Sequence, residues 1–323
     1  MKKRFSAILR IVISLGLLGF LFWFMRSDFQ DIWKIILTCN TRFIAIALFF
    51  VVWMLLALSW RLKVVFDGED LKISLNEAFQ LTCVGYFFNN FMPTAVGGDI
   101  VKAHYAANFN KQRLKSYASV LMDRIIGMCT VLIIAAVALT VDKGRFQADM
   151  LRPLVVVLLV LGVAAVLIAT NRSMAIFMER FLMRIKMFGL GERLRAVYSI
   201  VHDYRNRKDV VTKSVVFSTI AQSVYYIIVF FLFLSLGKNV NLGNVFLVMP
   251  VVIFISMIPS IGGLGVREGA MVAFFAPLAG KEIAFAASLL LLAVLFLISI
   301  VGGIVYIWWG LSGTYSEKGE GEG

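Results

Sequence analysis

The sequence predicts an all-α, polytopic membrane bundle of two inverted repeats, each with three spans plus one re-entrant or broken helical hairpin. Three observations predict it. Apolar residues make up 60% of the 323 and charged residues only 16%, which leaves too little polar surface for a water-soluble chain of this length. Apolar runs of about 20 residues recur, enough to cross a ~30 Å hydrocarbon core. Two of the apolar stretches are interrupted in the same manner, at FFNNFMPTAVGGDIVK (87–102) and VIFISMIPSIGGLGVREG (252–269).

In chain order, residues 7–25 form the first span. They follow a basic start like that of a signal peptide, but no small-residue cleavage site ends the run, so it is read as retained. The second span is 43–66, its end marked by Trp60 and Arg61, and the first interrupted stretch is 77–99. The third span, 117–141, carries Asp123 and Arg124 near its start, and the fourth is 153–170. Residues 172–213 hold 10 Lys/Arg against 4 Asp/Glu, with apolar residues at helical spacing, including Phe177, Phe181, Ile185, Val197 and Tyr204. That pattern predicts two amphipathic helices in the headgroup layer, divided at Gly189–Gly191. The fifth span is 214–236, the second interruption 243–280, and the sixth span 283–310. Residues 1–312 are thus expected to form one transmembrane domain, with repeat 1 over about 1–141 and repeat 2 over about 153–310; residues 313–323 form a disordered tail.

The formal net charge of +13 follows the topology rather than pointing to nucleic acid. Lys102, Lys111, Arg113 and Lys115 crowd 100–116 with no acid, and 172–213 is basic, whereas 26–42, 142–152 and 237–242 are nearly balanced. The positive-inside rule then places both termini in the cytoplasm, provided that each interrupted stretch enters and leaves on one side. Three crossings per repeat make the second repeat inverted relative to the first.

Aligned on Pro93 and Pro259, both interruptions are followed by paired glycines, Gly97–Gly98 and Gly262–Gly263, with Gly265 two further on. Proline lacks an N–H and glycine weakens helix, so these stretches are expected to unwind. Unwound backbone at membrane depth must be buried in protein or line a wet cavity, as in the paired broken helices of transporters. The alternative is that proline and glycine only kink ordinary spans, which leaves Asn89, Asn90 and Asp99 without a role.

Ionisable residues inside a membrane mark functional sites by default. Asp99 and Lys102, three apart, share a helix face. Asp123 and Arg124 point about 100° apart on a helix and do not simply neutralise one another. Arg124 could reach Asp99 or a ligand, Asp123 could pair with Lys102, and Arg267 with Glu268 poses the same problem in the second copy. Lys102 and Arg267 could instead snorkel to an interface, and Asn89 and Asn90 could cap broken helix ends. Three basic side chains with N–H groups at broken helix ends suit a phosphate, and in a bilayer a phosphate belongs to a lipid headgroup.

Other chemistry finds little support. Cys39, Cys83 and Cys129 show no paired spacing, and with only His104 and His202 besides, neither metal nor cofactor is expected. Both histidines lie in basic connecting segments. GGLGVREG lacks the strand and lysine of a nucleotide loop, and there is no G-x-S-x-G elbow.

FMPTAVGGDIVKAHY, the following SVLMDRIIG, and MIPSIGGLGVREG together resemble the membrane domain of lysylphosphatidylglycerol synthases, a group that includes stand-alone flippase-like proteins; the likeness covers about residues 5–310. The resemblance implies a lipid-handling domain of a bacterial or archaeal inner membrane. It points to Pro93, Gly97, Gly98, Asp99, Lys102, Asp123, Arg124, Pro259, Gly262, Gly263, Gly265 and Glu268. Lys102 stands where arginine is expected, so a point charge replaces a two-pronged phosphate grip. A soluble transferase domain has no room in 323 residues, so the chain is not expected to make the aminoacyl lipid. The expected function is a flippase for a phosphate-bearing lipid, either an aminoacylated phospholipid or a polyprenyl phosphate. Its partners are anionic or phosphate-bearing membrane lipids, not nucleic acid. The alternatives are a non-catalytic partner of a glycosyltransferase or lipid synthase, docked through 172–213, and a membrane enzyme using Asp99 or Glu268 as base.

Overall fold

A computed structural model describes residues 29–92, 97–110, 112–142, 153–157, 159–160, 162, 204, 207–258, 260 and 263–312. Nine helices are named among them: α1 (Phe29–Leu37), α2 (Thr41–Gly68), α3 (Leu75–Phe91), α4 (Gly97–Asn110), α5 (Arg113–Asp142), α6 (Lys208–Ser235), α7 (Leu242–Ile255), α8 (Val266–Ala279) and α9 (Lys281–Ser312). The chain is an all-α polytopic membrane protein. Four helices, α2, α5, α6 and α9, are long and apolar enough to cross a bilayer. The predicted spans 43–66, 117–141, 214–236 and 283–310 fall on these four. The first span, most of the fourth and most of the amphipathic segment lie outside the described residues, as does the tail.

Local signals explain where the helices start. Asn40 caps α2, its side chain accepting from the Arg42 N–H at 3.1 Å. Ser74 and Glu77 form a reciprocal capping box at α3, with bonds of 3.2 and 2.6 Å. Asn241 caps α7 by accepting from the Gly243 N–H at 2.8 Å. Gly263 and Gly265 both have φ near +80° on the way into α8, a region closed to most side chains.

Each interrupted stretch resolves into two short helices. At 1.5 Å per residue α4, α7 and α8, of 14 residues each, reach only about 21 Å, and the 17 residues of α3 about 26 Å, short of the hydrocarbon core. α3 packs on α4, and α7 on α8. Pro93 and Pro259, the expected breakers, lie outside the described residues; α3 ends with Met92 in extended conformation.

Contacts between helices recur in matched pairs. α2 runs along α6 in the most extensive contact of the molecule. α3 packs on α9 as α7 packs on α5, α4 on α5 as α8 on α9, and α2 on α3 as α6 on α7. Aromatic stacking joins α2 to α6, with Phe50 against Phe231 at 5.7 Å and Trp60 against Phe217 at 5.8 Å. α9 approaches α3 at Gly302, where an added Cβ would strike the Cys83 carbonyl; small residues are how membrane helices come this close. Apolar side chains such as Phe49 and Trp53 of α2 and Ile304 and Ile307 of α9 stay exposed, as a surface facing lipid requires.

Two readings of the sequence need correction. Residues 29–37, read as part of the connecting segment 26–42, form helix α1, with Ile32 buried and the helix packed on α9. Residues 208–213, assigned to the amphipathic segment, are the first turns of α6. Of that segment Tyr204 is described, fully buried, its hydroxyl donating to the Val65 carbonyl at 2.9 Å and lying 3.2 Å from Ser119 Oγ. Burial pushes the Tyr204 hydroxyl well above its ordinary pKa.

Candidate functional site, a two-lobed charged cavity between the broken helices

Where the two interrupted stretches meet the four long helices, two adjoining cavities of about 270 and 280 Å³ open. They share Tyr86, Asn89, Arg124 and Gln222 in their walls. The first takes its charge from α2, α4 and α5, through Arg61, Asp99, Lys102, Asp123 and Arg124. The second is lined by Asn90, Tyr225, Gly263 and Arg267. Hence residues of both interrupted stretches border these adjoining cavities.

Asp99 follows the glycines that open α4, and it accepts from Arg124 Nη1 at 2.7 Å. Lys102, one turn further along, places Nζ 3.7 Å from the same carboxylate and is 9% exposed. It therefore does not snorkel. Its stem passes so close to Gly85 that a Cβ there would sit 2.8 Å from Cε. Gly98 is equally constrained, since its Cβ would meet the Gly85 carbonyl. Glycine at both positions lets α4 begin against α3. Asn89 fixes that junction by accepting from the Gly98 N–H at 2.9 Å, so it caps a helix across the break. Asn90 donates to the Leu295 carbonyl at 3.2 Å and to Ser299, tying α3 to α9.

Asp123 does not pair with Lys102. Arg61 of α2 grips it with two bonds, Nε to Oδ1 at 2.6 Å and Nη2 to Oδ2 at 3.0 Å, and gives a third at 3.0 Å to Ser218 of α6. Planar guanidinium and planar carboxylate match, which is why arginine rather than lysine holds such a site. Arg61 is the residue that the sequence reading missed. Read as the end of a span, it lies seven residues inside α2 and is 8% exposed. The signal was available in LKVVF after it, which continues the apolar run.

Arg267 and Glu268 also depart from expectation, for these neighbours pair with each other. Arg267 Nη2 lies 2.6 Å from Glu268 Oε1. Glu268 also accepts from the Gly265 N–H at 2.7 Å, so it closes the first turn of α8. The Asp123–Arg124 pair, by contrast, diverges as adjacency predicts. The N–H groups of Gly98 and Gly265 are thus both engaged by side chains, and the positive character of the cavity rests on Lys and Arg. Gly262 lies outside the described residues. His104 is exposed and borders neither cavity.

The family described as the lysylphosphatidylglycerol synthase TM region matches residues 7–303. The chain belongs to this family. Among its relatives, a UPF0104 membrane protein of Pyrococcus horikoshii is 26% identical, over 93% of this chain and 96% of its own. A UPF0104 membrane protein of Methanothermobacter thermautotrophicus is 25% identical, over 72% of this chain and 73% of its own. No solved structure matches the chain. Membership of the lysylphosphatidylglycerol synthase TM-region family ties this membrane protein to phospholipid handling, and it encloses the motif residues Asp99, Lys102, Asp123, Arg124, Arg267 and Glu268 within the matched segment.

Proposed function

We propose that this chain is a flippase, moving the polar headgroup of a phosphate-bearing lipid through the two-lobed cavity while the acyl chains stay in the bilayer. The observation that carries the reading is the convergence of Lys102, Arg124 and Arg267, from both interrupted stretches and α5, on two adjoining cavities that share Arg124. Charge inside a membrane is costly and persists where it serves a pathway. Each lobe has the volume of about nine waters, room for a phosphate and a small polyol but not for acyl chains.

The matched helix contacts support an inverted repeat, in which α2, α3–α4 and α5 correspond to α6, α7–α8 and α9. In this reading α3–α4 dips in from the cytoplasm and α7–α8 from outside, with both termini cytoplasmic. Rocking one unit against the other along the α2–α6 seam would expose the cavity to each leaflet in turn. Arg61–Asp123 serves as a fixed post, since it bolts α2, α5 and α6 together, whereas Lys102 and Arg124 meet the headgroup.

The test is reconstitution in phosphatidylcholine vesicles carrying a fluorescent phospholipid, with transbilayer movement read by quenching from outside. Movement faster than in protein-free vesicles is expected. No acceleration for any phospholipid or polyprenyl phosphate would overturn the proposal.

A further inference from the structure

The charged residues around the cavity do not balance, and the imbalance bears on which headgroup fits. Four basic side chains, Arg61, Lys102, Arg124 and Arg267, line the two lobes, against two acids in the lining, Asp99 and Asp123, and a third, Glu268, paired with Arg267 beside it. The formal excess among the described residues is one positive charge.

The excess is also localised. Asp123 is saturated by Arg61 through two bonds. Glu268 is saturated by Arg267 and by the Gly265 N–H. Asp99 has two suitors, and its close contact goes to Arg124 at 2.7 Å while Lys102 Nζ stands off at 3.7 Å. Lys102 is therefore the cation whose charge is least answered, although it is about as buried as Arg61 and Arg267 and more buried than Arg124. The spare donors of its ammonium and those of Arg124 face the first lobe, where no carboxylate remains unengaged.

We infer that the cavity selects a headgroup of net negative charge, a phosphodiester or phosphomonoester without a compensating amine, with Lys102 as the residue that sets the selection. A cationic aminoacyl headgroup would bring a second uncompensated positive charge into a weakly screened interior, where like charges repel strongly. This inference rests on the lipid-handling reading and deepens it. It makes the anionic phospholipid, not its aminoacylated form, the preferred occupant.

The experiment separates charge selection from transport by measuring both. Native mass spectrometry of the purified protein would compare retention of phosphatidylglycerol and lysylphosphatidylglycerol, and the vesicle assay would compare movement of their fluorescent forms. Wild type is expected to prefer phosphatidylglycerol by about tenfold or more, the scale of one charge-assisted contact. K102Q should erase the preference and K102E reverse it, whereas D99N, which adds a positive charge to the site, should keep or sharpen it. Soluble glycerol phosphate competing as well as the lipid would assign the occupant to a free phosphate compound. Equal or stronger retention of the lysyl lipid by wild type, or a preference unmoved in K102Q and K102E, would overturn the inference. Selective retention without movement would instead overturn the flippase reading and leave the charge selection standing. Monodisperse elution of each variant guards against reading misfolding as lost selectivity, and the sign reversal in K102E is an outcome that misfolding does not produce.

Discussion

Replacing Arg61 with methionine tests whether the buried pair is a fixed post. The substitution leaves Asp123, whose side chain is 5% exposed, without its two guanidinium bonds, and leaves Ser218 without its donor. Removing one partner of a buried ion pair costs about 3–5 kcal/mol, because the remaining charge has lost its counter-ion and cannot regain water. For a chain of this size each kcal/mol lowers the melting temperature by about 2 °C, so R61M should melt about 6–10 °C early. The six tryptophans make intrinsic fluorescence in detergent a suitable readout. D123N should show a loss of the same order. The double variant R61M/D123L removes both charges and fills the space with apolar atoms, a change that is often neutral for buried pairs, and it should recover to within about 3 °C of wild type. That non-additivity is the decisive feature. An unchanged melting temperature in R61M, or a double variant worse than either single one, would refute the assignment of Arg61 and Asp123 as mutual partners.

Further outcomes follow from the same geometry. Gly98→Ala should abolish monodisperse elution, since its Cβ runs into the Gly85 carbonyl, whereas Gly310→Ala, with nothing within 4 Å, should elute as wild type. Tyr204→Phe loses a bond to the Val65 carbonyl and should cost about 1 kcal/mol, a drop of about 2 °C by the same melting assay. In a background lacking the three native cysteines, cysteine at Lys72 or Gln112 should react with an impermeant thiol reagent from the cytoplasmic side only. Cysteine at Asn239 or Lys281 should react from the opposite side only; reaction of all four from one side would remove the inverted arrangement.

What the sequence disclosed depends on how local each feature is. The long spans were legible because 20 apolar residues have few alternatives in water or lipid. The two breaks were legible because Pro and paired Gly disfavour helix whatever surrounds them. Helix α1 was not, since nine residues beside Asp28 and Lys34 look like a loop until Ile32 finds α9 to pack against. Arg61 was overlooked for a related reason. Its meaning lies 62 residues away in Asp123, and nothing near it in the chain foretells that partner.

The charged neighbours show where a rule of spacing stops. Adjacent residues on a helix diverge by about 100°, and for Asp123 and Arg124 that rule holds. Asp123 turns to α2 and Arg124 to α4, so one dipeptide joins three helices. At Arg267 and Glu268 the same spacing gives an internal pair, because Glu268 is already folded back onto the Gly265 N–H at the helix start and the long arginine bends after it. The difference is one of position within the helix rather than of sequence. Mid-helix, a carboxylate has no backbone donor to hold it and must find a partner on another element. In the first turn it has one, and its neighbour follows. The acid of the first broken motif, Asp99, is therefore held from another helix by Arg124, whereas the acid of the second, Glu268, closes its own cap. That leaves the two lobes chemically unequal, with the surplus cation, Lys102, in the first lobe and the self-neutralised pair in the second.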